Sequence, residues 1–165
     1  MQAHPKYAHL AAVAARPLAE LLDCPPETGN LLTSAAQALS CAASERIFLQ
    51  NDATRGLYVV VTGEFQRRVE RHNTRLTLGF ARPGDLVELA AALGDQRHTY
   101  TLTAVTPGTL LLLPQDALQQ AFNRHPPLRM KLLEELAREV SRAYFTTSLN
   151  RVTPARRNSN QDARP

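Results

Sequence analysis

The sequence predicts a mainly β fold, a small barrel or jelly roll with helices on both sides. Short runs of alternating apolar residues lie between residues 47 and 113, as expected for half-buried strands. Turns that contain glycine or proline separate these runs, and helical patterns precede and follow them. This order, with about eight short strands in the middle, is typical of small barrels and jelly rolls.

The N-terminal part of the chain is predicted to be helical. Residues 6–23 form an alanine-rich helical pattern that we expect to break or kink near Pro17. The Gly29-Asn30 pair indicates a loop, and residues 31–42 predict a second helix. Residues 1–44 are therefore assigned to an N-terminal helical segment.

The first strands of the roll are predicted from period-two alternation. It appears in two runs: Ile47 with Leu49, and Leu57 with Val59 and Val61. Residues 64–71 and 74–82 then predict a hairpin. Four arginines cluster near this hairpin: Arg67, Arg68, Arg71 and Arg75. They indicate either a solvated face or a patch that binds an anion or a partner.

The second half of the roll follows a strong turn at Pro83-Gly84-Asp85. Residues 88–93 are alanine-rich and can make only one or two helical turns. Residues 99–105 alternate again, and residues 109–113 form a continuous leucine strand. Residues 45–125 are therefore assigned to the roll.

Helices are predicted after the roll. Residues 115–124 fit a short helix, and a longer one is expected from about residue 128 to residue 149. Residues 126–149 are assigned to this long C-terminal helix. Residues 150–165, which are rich in arginine, asparagine, proline and serine, are expected to form a disordered tail.

The long helix carries two apolar stripes. One has the three-four spacing of a short coiled coil and consists of Leu133, Leu136, Val140, Ala143 and Thr147. The second stripe could face the roll and consists of Leu128, Leu132 and Leu136. A helix with two apolar stripes packs on two sides, which predicts a homodimer. The alternative is a helix that lies only on its own roll.

Composition narrows the function classes. The chain has 165 residues and a net charge of +4, of which residues 151–165 contribute +3, so the folded part lacks a footprint for DNA or RNA. Two cysteines without CxxC spacing are too few for a disulfide scaffold. No run of about 18 apolar residues or convincing signal peptide appears, so we expect a cytoplasmic protein without a membrane span.

Catalytic and metal-binding patterns are not found in the sequence. No nucleophile–base pair stands out, and His72, His98 and His125 lie in separate elements without ligand spacing. A jelly-roll enzyme such as a cupin would need clustered histidine and glutamate ligands on facing strands. We therefore expect a protein that is not an enzyme.

Four stretches of the chain, taken in order, carry a family resemblance. They are Ile47 to Phe65 (IFLQNDATRGLYVVVTGEF), Pro83-Gly84-Asp85, Glu88-Leu89 with Thr99, Thr101, Leu102 and Ala104, and Leu113-Pro114 with the later Asn123-Arg124-His125-Pro126. With them, residues 47–145 resemble the cyclic-nucleotide-binding domain, especially the sensor half of the Crp/Fnr transcription regulators. The resemblance implies a β-roll followed by a long helix that pairs with its twin, and a ligand pocket between roll and helix.

The resemblance also implies a binding site for a ligand such as cAMP or cGMP. Gly84 belongs to the turn that enters the phosphate-binding cassette, and Glu88 matches the glutamate that takes the ribose hydroxyl. Thr99 matches the small hydroxyl residue. The run Leu89–Leu93 could present a helix N-terminus to the phosphate.

Three positions depart from this pattern. Val87 occupies the glycine position and blocks a close backbone approach, His98 occupies the arginine position, and Tyr100 adds bulk where alanine is preferred. Arg97 lies one residue away, where strand alternation points it to the opposite face unless the loop adjusts. The hypothesis is loss or change of nucleotide binding. Glu88 as a helix-start acid and His98 as a surface residue are the alternatives.

The sequence therefore predicts a regulatory sensor domain. A small effector, not necessarily a nucleotide, would enter the roll and shift the final helix, in the signal transduction and transcription regulation typical of the Crp/Fnr family. The alternative is a decoy that dimerises with full-length relatives without binding a ligand. Residues 150–165 cannot build a recognition helix, so we expect no sequence-specific DNA binding by this chain alone.

Overall fold

The structure, a computed structural model, describes residues 18–152, with side chains described for residues 18–145. Within that range the chain forms a β-roll of two four-stranded antiparallel sheets with helices before and after it. The predicted mainly β fold with a jelly-roll-like centre and a long last helix is confirmed. The predicted kink near Pro17 and most of the predicted disordered tail lie outside the described residues, although residues 150–152 are still helical.

The helices and strands follow one another along the chain. Their bounds are α1 Pro26–Ala35, β1 Gln37–Cys41, β2 Arg46–Phe48, β3 Gly56–Thr62, β4 Phe65–Arg71, β5 Thr74–Ala81, β6 Leu86–Val87, α2 Leu89–Leu93, β7 Thr101–Ala104, β8 Gly108–Pro114, α3 Gln115–Arg124 and α4 Pro126–Val152.

Two sheets make the roll. The first has the strand order β1-β8-β3-β6 and the second has the order β2-β7-β4-β5. In the second sheet, β4 and β5 form the predicted hairpin, and His72 and Asn73 adopt positive φ of 48° and 61° in its tight turn. Strand β5 lies at one edge of this sheet, where its hydrogen-bonded neighbour is β4.

The helix predicted over residues 31–42 is wrong in its second half. The helix ends at Ala35, and Ala36 has an extended backbone with φ −64° and ψ 142°. Residues 37–41 instead form β1, which pairs along its whole length with β8, from Gln37 opposite Leu112 to Cys41 opposite Gly108. Alanine favours helix, but the backbone hydrogen bonds and burial offered by β8 override that weak preference.

The loop predicted at Gly29-Asn30 is also wrong, because both residues lie inside α1. Gly29 allows α1 to pack closely against the preceding helical turn. A Cβ atom at this position would lie 2.6 Å from the Cβ of Ala19, in the helical turn of residues 18–21. The glycine therefore lets two helical segments touch, at the usual entropic cost of glycine in a helix.

The first sheet is apolar on both faces because two cores flank it. Tyr58 and Val60 of β3 point into the interior of the roll, together with residues from both sheets. Leu57 and Val59 point to the other face, where they pack against the helices. The run of buried residues in β3 thus reflects a strand covered on both sides.

Helix α4 packs on the roll through one of its two predicted stripes. Leu128 and Leu132 are buried, and Leu136 packs against the same core from a half-buried position. Leu136 belongs to both predicted stripes, and in this structure it packs against the molecule's own core, while the coiled-coil seam stays a prediction. Val140 is 59% exposed, and the side chain of Thr147 lies outside the described ones. Among the helices of the described range, none is long and apolar enough to cross a membrane.

Candidate functional site

Glu88 lies at the centre of the candidate site, in the short connection between β6 and α2. Its backbone adopts the left-handed conformation, with φ 71° and ψ 39°, and its side chain is almost completely buried. A non-glycine residue in this conformation is held there by its surroundings, and such residues are concentrated at functional sites. The surroundings that hold Glu88 come from the segment just before β7.

The carboxylate of Glu88 is bonded to the protein itself on both oxygens. Oε2 accepts a hydrogen bond from the backbone N–H of Thr99 at 3.0 Å, and Oε1 accepts one from the Thr99 hydroxyl at 2.7 Å. Nδ1 of His98 lies 2.7 Å from Oε2 and donates to it, since a carboxylate only accepts. The backbone N–H of Glu88 donates to the Tyr100 hydroxyl at 3.0 Å. The polar groups of Glu88 therefore have partners without any ligand.

The imidazole of His98 occupies the interior of the roll. Only 3% of the residue is exposed, and its ring stacks on Phe48 with centroids 3.7 Å apart and planes within 4°. Its backbone is fixed as well, because its N–H donates to the carbonyl of Asp52 and its carbonyl accepts from the N–H of Asn51. The expectation that His98 is a surface residue is wrong. Stacking on Phe48 and the hydrogen bond to the Glu88 carboxylate stabilise the His98 side chain in the interior.

Arg67 and Glu139 connect the roll to the long helix. Nη1 of Arg67, on β4, lies 3.1 Å from Oε1 of Glu139, on α4, and the arginine side chain is only 16% exposed. Its guanidinium carbon lies 5.8 Å from the centre of the Tyr100 ring, within the range of a cation–π contact. Its Nε is buried and has no hydrogen-bond partner among the described residues. Arg67 therefore keeps one donor that no described group uses.

Burial changes the acidity of two groups beside Arg67. Loss of solvation raises the pKa of Glu139 above its usual 4.5, an effect that Arg67 opposes and Glu135 strengthens. Burial likewise raises the pKa of the Tyr100 phenol, so Tyr100 stays neutral and can donate or accept at neutral pH. The region between roll and helix is thus a low-dielectric environment.

A groove opens between the roll and α4 next to this ion pair. Its volume is about 630 Å³, and its lining includes Arg67, Phe80, Leu86, Lys131 and Glu139. The lining charges are largely paired with one another: Lys131 with Asp23 at 2.5 Å, and Arg138 with Glu134 and Glu135. Both apolar and charged groups line the groove, which suits a small amphipathic molecule.

The structure brings together three of the seven residues predicted for the site: Glu88, His98 and Thr99. Val87 and Leu89 flank Glu88 and are buried in the two cores, and Leu89 also lines the groove. Gly84 is exposed in its turn, with φ 93°, and contributes to the groove wall.

Arg97 does not join the site. It is exposed, and its Nη1 donates to the backbone carbonyl of Asn51 at 3.0 Å. The isolated bridge between Ala53 and Arg97 fixes this segment, so the loop adjustment that would turn the guanidinium inward does not occur in this structure.

Sequence reasoning missed Arg67 and Glu139. The cluster of hairpin arginines includes Arg67, but strand alternation places this residue on the same face as the fully buried Phe65. That period-two relation is the signal that could have found it. Within residues 18–145 no group of three or more histidine, cysteine, aspartate or glutamate side chains could hold a metal ion.

Comparison with known proteins gives consistent results. Residues 38–125 match the family model described as the cyclic nucleotide-binding domain. The HTH-type transcriptional regulator Cmr of Mycobacterium tuberculosis is 25% identical over 128 residues, which cover 76% of this chain and 52% of that protein. The chain thus spans about half the length of this curated relative.

Solved structures agree on the fold. The Thermus thermophilus catabolite activator protein superposes with a TM-score of 0.68 at 26% identity, over 81% of this chain and 62% of that one. The sensor domain of the transcriptional regulator DNR from Pseudomonas aeruginosa gives a TM-score of 0.70 at 17% identity, over 81% and 93% of the two chains. At that identity the second likeness concerns the fold alone.

Proposed function

Because the chain belongs to the cyclic-nucleotide-binding domain family and is related to the Crp/Fnr regulators, we propose that it is a regulatory sensor that responds to a small effector other than a cyclic nucleotide. One observation carries this proposal. The buried carboxylate of Glu88 is already bonded to His98 and Thr99, so the family's ligand-binding glutamate serves an internal contact.

A cyclic phosphate finds little support in this interior. An anion moved from water into a buried site needs a cation and several hydrogen-bond donors, and without them its burial costs about 5 kcal/mol. Among the side chains of residues 18–145, His98 is the basic residue that lies within 4.0 Å of the Glu88 carboxylate, and its imidazole is bonded to that carboxylate. Arg97 lies on the surface, and the buried side chain of Val87 fills space beside Glu88.

The effector of our proposal binds in the groove between the roll and α4. A volume of about 630 Å³ is within the usual range for pockets of small molecules. The unpartnered Nε of Arg67 can donate to a carboxylate or carbonyl oxygen of the ligand. Phe80 and Leu86 line the same groove and can contact an apolar part.

The same contacts suggest how the signal reaches α4. Arg67 holds Glu139 of the helix, so a ligand that bonds to Arg67 competes with this ion pair. Loss of the pair would leave a half-buried carboxylate without its counter-charge, which favours a different position of the helix. In this proposal the ligand selects between two placements of α4.

The organisation that goes with this function is also part of the proposal. Residues 37–125, which are the predicted 45–125 extended by β1, form the sensing roll. Residues 126–149 form the output helix, and residues 1–36 and 150–165 the flanking segments. We propose a homodimer in the cytoplasm, formed by the exposed side of α4, with regulation and not catalysis as its role.

A thermal-shift screen of small carboxylic acids and other metabolites tests this function. A true effector should raise the melting temperature of the wild-type protein by mass action. The rise should be lost in Arg67→Gln and kept in Arg82→Gln, which removes the same charge from an exposed arginine that lines neither this groove nor the groove on the outer face of the second sheet. No stabilising compound in the screen, or a rise that survives in Arg67→Gln, would contradict the proposal.

The second candidate function is a dimerisation partner of full-length Crp/Fnr relatives. Exposed apolar residues on α4 favour it: Met130, Val140 and Tyr144 are 59%, 59% and 70% exposed. Co-purification of this chain with a full-length relative, as a mixed dimer that forms equally well without any small molecule, would support this candidate over the sensor.

A further inference from the structure

The outer face of the second sheet carries a groove with unusual side chains. Its volume is about 450 Å³, and three arginines line it: Arg46, Arg68 and Arg75. The threonines Thr101 and Thr103 lie among them, and the lining contains one carboxylate, Glu70. The lining therefore has a formal charge of +2. This groove is independent of the proposed effector site.

Strand register explains why these side chains share one face. Arg46 on β2 is opposite Thr103 on β7, and Thr101 on the same strand is opposite Arg68 on β4. Because neighbouring strands are about 4.8 Å apart, the backbones that carry Arg46 and Arg68 lie about 10 Å apart on either side of the threonines. The side chains of Arg46 and Arg68 thus lie on either side of the hydroxyl groups of Thr101 and Thr103.

The groove is separated from Glu88 by the sheet itself. Leu102, between the two threonines, is fully buried and packs in the interior of the roll. Successive side chains of a strand point to opposite faces, so Thr101 and Thr103 face away from that interior. A ligand in this groove would not touch the family's nucleotide position.

The charges of the groove are only partly balanced. Arg75 forms an ion pair with Glu70 at 2.7 Å, which uses the one carboxylate of the lining. Arg68 donates to the neutral side-chain amide of Gln66. Among the side chains of residues 18–145, no carboxylate lies within 4.0 Å of a nitrogen of Arg46 or Arg68.

Hydroxyl donors complete the arrangement. The Thr101 hydroxyl accepts from the backbone N–H of Gln50 at 3.0 Å, so its own O–H is free to donate elsewhere. A phosphate monoester carries close to two negative charges and three acceptor oxygens, and planar guanidinium groups bind such oxygens in pairs. The charge of the groove and its donors match this chemistry.

We propose that this face binds the dianionic phosphate of a monoester, held between Arg46 and Arg68 with Thr101 and Thr103 as hydroxyl donors. Such a phosphate comes either from a free phosphorylated metabolite or from a phosphorylated side chain of a partner protein. The site lies at the anion patch that the hairpin arginines indicate. Of those arginines, Arg68 binds the phosphate, Arg75 lines the groove while paired with Glu70, and Arg67 faces inward.

NMR titration of the full chain tests the proposal. Amide signals are followed as glycerol phosphate is added at constant ionic strength, with chloride as the balancing anion because screening alone would otherwise shift charged residues. We expect saturable shifts at Thr101 and Thr103. The double variant Arg46→Gln/Arg68→Gln should weaken binding at least about tenfold. Arg82→Gln, an exposed arginine paired with Glu64 elsewhere, should bind like the wild type.

Two further arms distinguish the sources of the phosphate and the failure of the idea. A phosphoserine peptide that binds at least about tenfold more tightly than glycerol phosphate would identify a partner protein, and equal affinity would identify a free metabolite. Saturation that is absent by about 10 mM, or shifts that persist in the double variant with an unchanged melting temperature, would overturn the proposal.

Discussion

At the scale of single residues, Glu88 explains most of the character of the site. Its left-handed backbone and its buried carboxylate are stabilised by hydrogen bonds to three consecutive residues, His98, Thr99 and Tyr100. In our proposal, the side chain that the family resemblance assigns to a ligand therefore has a structural role. Its partners should contribute to stability in proportion to how deeply they are buried.

His98→Ala should destabilise the protein strongly. The change removes the ring that stacks on Phe48 and leaves one oxygen of the buried Glu88 carboxylate with fewer donors. We expect a loss of about 2–4 kcal/mol in the free energy of unfolding, measured by urea denaturation.

The neighbouring Arg97→Ala is the matched control for this change. Arg97 is exposed, and its side chain makes a single hydrogen bond to the Asn51 carbonyl, so the loss should stay within about 0.5 kcal/mol. Equal losses in the two variants would mean that His98 has no special role in the interior.

At this scale, the sequence predicted which residues form the site better than it predicted whether their side chains are buried. The match of Glu88 and Thr99 to the family pattern marked the two residues that do meet in the structure. The position of His98 and the inward direction of Arg67 were missed, because burial of polar side chains depends on partners that are distant in sequence. Phe48 is 50 residues from His98, and Glu139 is 72 residues from Arg67.

At the scale of elements, α4 is the part with two tasks. Leu128, Leu132 and Leu136 fix it to the roll, and Arg67 with Glu139 adds a charged contact further along. On the side away from the core, Met130, Leu133, Ala137, Val140 and Tyr144 recur with alternating spacings of three and four residues. This seam has the period of a two-stranded coiled coil.

Val140→Glu should abolish the homodimer that we propose. A charge in the middle of the seam would be buried without a partner in a coiled coil. Light scattering at about 50 µM should show a dimer for the wild type and an 18.2 kDa monomer for this variant. Ser141→Glu adds the same charge one residue away on the exposed surface and should leave the dimer intact. A wild type that is already monomeric at this concentration would contradict the seam.

Glu139→Gln should change how stability depends on pH. Burial raises the pKa of Glu139 in the folded protein, so the native state holds this proton more tightly than the unfolded chain. Its contribution to stability is therefore largest below the unfolded pKa near 4.5 and declines as pH rises through the folded pKa.

The melting temperatures of the wild type and of Glu139→Gln, measured from about pH 4 to about pH 7, isolate this contribution because the other groups are shared. The wild type should lose stability relative to the variant as pH rises. A flat difference would show that Arg67 cancels the effect of burial on Glu139, and a difference of opposite sign would show that Arg67 outweighs it; either result would contradict the prediction.

At the scale of the whole molecule, the hydrophobic pattern was sufficient to predict the fold but not to predict two of its strands. Period-two alternation and glycine or proline turns located six of the eight strands that lie within residues 18–152. The sequence pattern predicts helix where β1 lies, because Gln37–Cys41 has no strong β signature and gains its structure from pairing with β8. Strand β6, only two residues long, carries too little pattern to be seen.

The molecule as a whole is a roll of the cyclic-nucleotide-binding type whose interior is occupied by its own side chains. Glu88, His98 and Tyr100 fill the region that corresponds to the family's phosphate-binding cassette. The Arg67–Glu139 ion pair connects the roll to α4. The surface arginines and the groove along α4 are then the places where a partner or ligand can act.

Isothermal titration of the purified protein with cAMP and with cGMP tests this account most directly. We predict no saturable heat of binding up to about 1 mM nucleotide, because the Glu88 carboxylate and the stacked His98 imidazole are already bonded to each other. A dissociation constant in the micromolar range for either nucleotide, lost in Glu88→Ala, would contradict it.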